Sequence, residues 1–138
     1  MVKLIIGKKG SGKTKKLIDL ANDAVKVSKG NVVVIEKGSK LTYDLTHKAR
    51  LIDAESYNVS GYDMLFGFVS GICAGNYDVT DILIDSTFKL CGNNMEELEK
   101  FVAKLNALEA HASASITLLI SADKTELPAH LEAEYVHI

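Results

Sequence analysis

Gly7, Gly12, Lys13 and Thr14 stand at the spacing G-x-x-x-x-G-K-[ST], with Lys8, Lys9, Gly10 and Ser11 between the first two. Each residue type has a use at that spacing. Glycine turns the backbone tightly and leaves no Cβ between successive N–H groups and an approaching anion. A helix that starts near Gly12 adds free N–H donors and the positive end of its dipole. Lys13 supplies a mobile ammonium for the outer phosphates of a phosphate chain and is expected among the catalytic residues. The Thr14 hydroxyl can ligate Mg²⁺. The chemistry open to residues 7–14 as a set is to cradle a polyphosphate and its metal ion.

That cradle needs a strand before it and a helix after it, and both are legible. Val2 to Ile6 is a short apolar run, and Lys13 to about Ser28 carries Leu17, Ile18, Leu20, Ala21, Ala24 and Val25 at helical spacing. Downstream, Asn31–Glu36 is β-branched and predicts a buried parallel strand. Residues 40–48 are polar and predict a loop. Tyr43, Asp44 and His47 sit in it as candidates for substrate contact, with a solvated connector the plainer reading. Arg50 to Asp53 could add a short extra strand. Ser60 and Asp63 give a start signal for a helix to about Ala74, with Met64, Leu65, Phe68, Val69, Ile72 and Cys73 inward. Asn93 or Asn94, with Glu97, caps a further helix from Met95 to about Ala112. Ser115–Ser121 is a buried strand, residues 125–133 a short helix or turn, and residues 134–138 a last strand.

Two carboxylates end apolar runs. Asp85 closes Asp81–Asp85, and a carboxylate at the C-terminal end of a strand near the phosphate loop can hold Mg²⁺, mostly through water. Glu36 closes Asn31–Glu36 and is the internal candidate for a catalytic base. A surface Glu is the competing reading. Asp81 precedes its apolar run and should lie at the far end of that strand.

Residues 3–14 resemble the phosphate-binding loop, or Walker A segment, of the P-loop nucleoside triphosphatases, and residues 81–85 look like a Walker B segment. The resemblance implies ATP or GTP with Mg²⁺ as ligand, Thr14 and Asp85 at the metal, and one nucleotide-binding domain over residues 1–138. It also implies a three-layer α/β/α fold with a mainly parallel five-stranded sheet in the RecA-like order 5-1-4-3-2. That order runs final strand, loop-bearing strand, 115–121, 81–85, 31–36. In RecA-like ATPases a polar residue often ends the strand here represented by 115–121, so Ser121 is the candidate γ-phosphate sensor. The plan is also similar to that of the thymidine kinases. Their zinc-binding Cys pairs are absent, however, and Ser86 stands where they and most RecA-like ATPases have Glu. Thymidine kinase activity is therefore not carried over.

Composition narrows the choice further. A chain of 138 residues, 47% hydrophobic and 25% charged, suits one globular domain. Its net charge of −2 gives no case for a nucleic-acid surface. No apolar run reaches the ~18 residues of a membrane span, and with the first strand beginning at Val2 the expected location is the cytoplasm. Cys73 and Cys91 lack a C-x-x-C partner and read as buried thiols. Arg50 is the single Arg among 16 basic residues. That disfavours an Arg-rich lid clamping two phosphorylated substrates and leaves one candidate for an arginine finger in cis. Two functions remain. One is a Mg²⁺-dependent ATP-hydrolysing or phosphoryl-transferring protein that is slow unaided, or assisted by a protein partner or a second copy. The other is a binding or regulatory module ordered by nucleotide.

Overall fold

A computed structural model describes residues 1–136 and 138, apart from the side chains of Thr42 and Tyr43. The expected substrate contact of Tyr43 and the part of the last strand at His137 therefore lie outside the described residues. The chain forms an α/β structure with strands β1 (Lys3–Gly7), β2 (Asn31–Glu36), β3 (Arg50–Asp53), β4 (Val79–Ile84), β5 (Ser115–Ser121) and β6 (Glu134–Val136). Its helices are α1 (Lys13–Val27), α2 (Tyr62–Gly75), α3 (Thr87–Cys91) and α4 (Met95–Ala112). All strand pairings are parallel, and the sheet order is β3-β2-β4-β5-β1-β6.

The five-stranded sheet and order expected from the sequence need correction. Arg50–Asp53 is a sixth strand, laid on the outer edge of β2 with Glu36 opposite Asp53. The sequence offers this segment as a possible short extra strand but leaves it out of the sheet. The β2 edge supplies the pairing that holds it.

Side-chain alternation divides the core in two. Leu4, Ile6, Val33, Ile82, Ile84, Ile116 and Leu118 face α2 and α4. Ile5, Val32, Val34, Leu83 and Leu119 face Leu17 and Ala21 of α1. Helices thus cover both faces, and the inner strands are buried on both sides, which explains their near-continuous β-branched and Leu composition. On the α2/α4 face Phe101 is almost fully buried and packs against Tyr62 with ring centroids 5.2 Å apart. The Tyr62 hydroxyl donates to the Gly92 carbonyl at 2.7 Å. That anchoring moves the start of α2. Gly61 is the N-cap residue, its N–H donates to the Leu90 carbonyl at 2.9 Å, and Ser60 does not cap. Asn94 does cap α4, accepting from the Glu97 N–H at 3.0 Å.

Among the described residues three short elements were not expected, one of them the 3-10 turn Ala54–Tyr57. Helix α3 has five residues, below the length at which helical periodicity can be read. Lys40–Tyr43, inside the predicted loop, forms a 3-10 turn. Residues 125–133 hold only part of a 3-10 turn, Lys124–Glu126, closed by a capping box at Asp123. Among the described residues no helix is long and apolar enough to cross a membrane.

The register decides what meets at the C-terminal edge of the sheet. Gly7 pairs with Ser121, and Ile35 pairs with Ile84. The Asp85 N–H extends that second ladder by donating to the Ile35 carbonyl at 2.8 Å. Side chains two apart share a face. Gly7 follows Ile5, Glu36 follows Val34, Asp85 follows Leu83 and Ser121 follows Leu119. All four therefore fall on the face of α1 at one end of the sheet.

Candidate functional site

The connection from β1 to α1 is shaped by its glycines. Gly10 and Gly12 have φ of 84° and 91°, and Gly12 is the left-handed N-cap of α1. A side chain at either position would be strained. At Gly7 the constraint is space, because a Cβ there would lie 2.5 Å from Ser11 Oγ. The loop is braced from within. Ser11 donates to the Lys8 carbonyl through its N–H at 3.1 Å and through Oγ at 2.6 Å. Lys13 Nζ folds back to the same carbonyl at 2.7 Å.

This bracing leaves backbone donors over. Among the described residues, the N–H groups of Lys9, Gly10, Gly12, Lys13 and Thr14 have no acceptor. All five residues line one cleft of about 500 Å³ at the C-terminal edge of the sheet. Lys13 is buried and the other four are exposed at the cleft. A run of unpaired N–H groups at a cleft beside a helix N-terminus is the arrangement that binds anions.

Two carboxylates and a hydroxyl from other strands reach the same cleft. Asp85 is 8% exposed, and its Oδ1 accepts from the Ser86 N–H at 2.8 Å. Burial raises its carboxyl above the ordinary range, against the Ser86 N–H and the charges of Lys89, Lys13 and Lys40. Glu36 is 2% exposed, so the surface reading of this residue is overturned. Its Oε1 accepts from the Leu41 N–H at 3.0 Å. Burial raises its carboxyl as well. The Leu41 N–H opposes that shift, the charges of Asp85 and Asp53 reinforce it, and Lys40 opposes it. Ser121, exposed at the end of β5, lines the cleft too. Lys13 is almost fully buried. Desolvation lowers its ammonium below the ordinary value while the charge of Asp85 pulls the other way.

The cleft thus gathers Lys9, Gly10, Gly12, Lys13, Thr14, Glu36, Asp85 and Ser121 from the sequence-derived site. Gly7, Lys8 and Ser11 shape and brace the loop from outside that lining. Arg50 is not brought in. It is exposed, sits at the start of β3 and lines a separate hollow with Asn31 and Lys48. Asp44 and His47 also lie outside the lining. Cys73 is buried, but Cys91 is only half-buried, which corrects its reading as a buried thiol. Burial raises both thiols, Cys91 to about 12, so neither is a ready nucleophile.

Sequence reasoning missed Lys37, Lys40, Thr87 and Lys89, which also line the cleft. Lys37 and Lys40 follow β2, while Thr87 and Lys89 follow β4, so only the β2–β4 pairing brings them together. Ser86 holds φ 62°, ψ 33° between Asp85 and α3, a left-handed conformation uncommon for serine. The kink ends β4 and starts α3, from which buried Thr87 and exposed Lys89 line the cleft.

The donor set suits Mg²⁺. No group of three or more His, Cys, Asp or Glu able to hold a metal occurs among the described residues. Mg²⁺ keeps several waters and takes one or two protein oxygens besides phosphate. Thr14 and Asp85 both line the cleft, and their side-chain oxygens could provide that number.

The raised carboxyl of Glu36 predicts how stability changes with pH. A carboxyl that holds its proton more tightly when folded stabilises the fold below its unfolded pKa, ~4.3 for Glu. That stability is lost as pH rises through the folded value. Glu36→Gln keeps the acceptor for Leu41 and removes the titration. In thermal melts without ligand it should be more stable than wild type near pH 7.5. The advantage should shrink toward pH 4. A variant less stable than wild type at pH 7.5 would contradict the desolvation account of Glu36.

No protein-family model matches the chain, and no curated protein matches it. The case for its function therefore rests on the cleft itself.

Proposed function

We propose that the chain is a P-loop nucleotide-binding protein that holds ATP, or GTP, with Mg²⁺ in this cleft. The observation that carries the reading is the run of unpaired N–H groups at Lys9, Gly10, Gly12, Lys13 and Thr14 along a lysine-rich cleft. In this reading the loop amides hold the phosphate chain. Lys13 exchanges its bond to the Lys8 carbonyl for the outer phosphates. Thr14 and Asp85 hold the ion, and Ser121 faces the γ-phosphate. When bound, Mg²⁺ offsets charge on the outer phosphates and orients them. Within the six-stranded sheet the strands run β6-β1-β5-β4-β2, with β3 added outside β2.

Whether the bound nucleotide is turned over depends on Glu36 and Ser86. Ser86 lines the cleft directly after Asp85, but a hydroxyl is no carboxylate base. Glu36 is buried at the neighbouring strand end, and its raised carboxyl is better matched to proton transfer near neutral pH than an exposed Glu would be. That feature favours an ATPase or phosphotransferase over a purely nucleotide-ordered binding module. Arg50 stands apart from the cleft, so a cation that stabilises the transition state in the manner of an arginine finger has to come from a lysine, a protein partner or a second copy. Unaided turnover should be slow.

Two measurements test this reading. Lys13→Ala should weaken MgATP binding in calorimetry by at least about 10-fold, because the phosphates lose a cation aimed at them. Unchanged affinity in a folded variant would contradict the site. Phosphate release from ATP by purified wild type should be slow and should fall by ~10²-fold or more in Glu36→Gln, with affinity retained. Complete absence of release from wild type would favour the binding module, and an unaffected Glu36→Gln would exclude Glu36 as the base.

A further inference from the structure

The cleft holds more positive charge than one phosphate loop accounts for. Lys9 and Lys13 belong to the loop, while Lys37, Lys40 and Lys89 enter from the ends of β2 and β4. Beside these five ammonium groups the lining has two carboxylates, Glu36 and Asp85. Among the described residues none of the five lysines has a carboxylate within 4.0 Å. Lys89, Lys13 and Lys40 nevertheless all act on Asp85 electrostatically, and Lys40 on Glu36, so these charges share one region.

The backbone that carries Lys37 and Lys40 is tied down. Asp53 Oδ1, at the end of β3, accepts from the Gly38 N–H at 2.8 Å and fixes the turn between Lys37 and Lys40. The Leu41 N–H is tied to Glu36 Oε1 at 3.0 Å, and Leu41 is buried. Lys89 rides on α3, whose first residue, Thr87, is fully buried in the cleft wall with no hydrogen-bond partner for Oγ1 among the described residues. A buried hydroxyl without a partner is uncommon and points to a group that completes it. The strand order adds a distance argument. β2 lies three strand steps from β1, roughly 14 Å at ~4.8 Å per step. Lys37 and Lys40 therefore start well to the side of the loop that moors the first phosphate chain.

We propose that Lys37, Lys40 and Lys89, with Thr87, form a second anion subsite that takes the phosphate group of a small phosphorylated molecule bound beside the nucleotide. The inference deepens the nucleotide-binding reading and rests on it for the identity of the first ligand. A phosphate dianion suits several point-like ammonium groups better than a monoanionic carboxylate does. The subsite borders Glu36, so an acceptor hydroxyl on the same molecule would lie near that carboxylate. In transfer, the acceptor oxygen bonds to the γ-phosphorus and the bond from that phosphorus to the β–γ bridging oxygen breaks. The nucleoside diphosphate leaves with the electron pair, and Glu36 takes the acceptor proton.

Inorganic phosphate is the probe, titrated by ³¹P NMR and calorimetry into wild type, Lys13→Ala and the double variant Lys40→Ala/Lys89→Ala. Both double-variant positions are exposed, and circular dichroism checks folding. Wild type saturated with a non-hydrolysable ATP analogue and Mg²⁺ should still bind phosphate. Lys13→Ala without nucleotide should retain that binding. The double variant, with the analogue bound, should lose it by about 10-fold or more. A double variant that binds phosphate as wild type does, or wild type whose analogue displaces all phosphate, overturns the second subsite. The nucleotide reading fails separately, through a wild type that does not bind the analogue, and phosphate binding lost only in the double variant would then leave the subsite standing.

Discussion

The turn from β1 into α1 leaves a run of backbone donors without acceptors, and most of the cleft is arranged around that fact. Gly10 and Gly12 take left-handed conformations, and Ser11 and Lys13 are drawn back to the Lys8 carbonyl. The peptide N–H groups from Lys9 to Thr14, Ser11 excepted, then have no partner among the described residues. An unsatisfied backbone group carries a penalty of ~1–3 kcal/mol when shielded from water. A loop of this shape is therefore sustained by solvent or by an anion. The parallel sheet makes it possible, since β1 delivers the loop to the same edge where β2, β4 and β5 end.

Charge on that edge is the second constraint. Glu36 and Asp85 emerge on adjacent strands and the same face, both buried. Desolvation raises both carboxyls, and the charge of Asp85 raises that of Glu36 further. Lysines from three different connections surround them without forming close pairs. The result is a cleft with an excess of cations over carboxylates in a chain whose net charge is −2. A local surplus against an acidic background is more informative about ligands than the total, because clefts focus the field of the groups that line them.

How far the chain could be read in advance depended on whether each signal was local. The loop, the strand before it and α1 follow from contiguous residues, as do α4 with its Asn94 cap and the alternation of the inner strands. Non-local features escaped. The burial of Glu36 depends on Leu41 and the turn after it folding over the end of β2. Strand β3 was legible as a possible strand, but its place in the sheet depends on the edge of β2. Helix α3 is too short to show a period, and it exists because the left-handed Ser86 redirects the chain after Asp85. Lys37, Lys40 and Lys89 look like ordinary surface lysines in sequence. Their common cleft emerges only once β2 and β4 are neighbours.

Backbone amide NMR of the loop tests the central claim most directly. In ¹⁵N-labelled protein titrated with a non-hydrolysable ATP analogue and Mg²⁺, the amide protons of Lys9, Gly10, Gly12, Lys13 and Thr14 gain charged acceptors. Their resonances should move downfield together and saturate with one affinity, and the Ser11 amide, already bonded to Lys8, should move less. Loop amides unmoved at saturating nucleotide, with shifts confined to another surface, would show that the phosphate chain is held elsewhere.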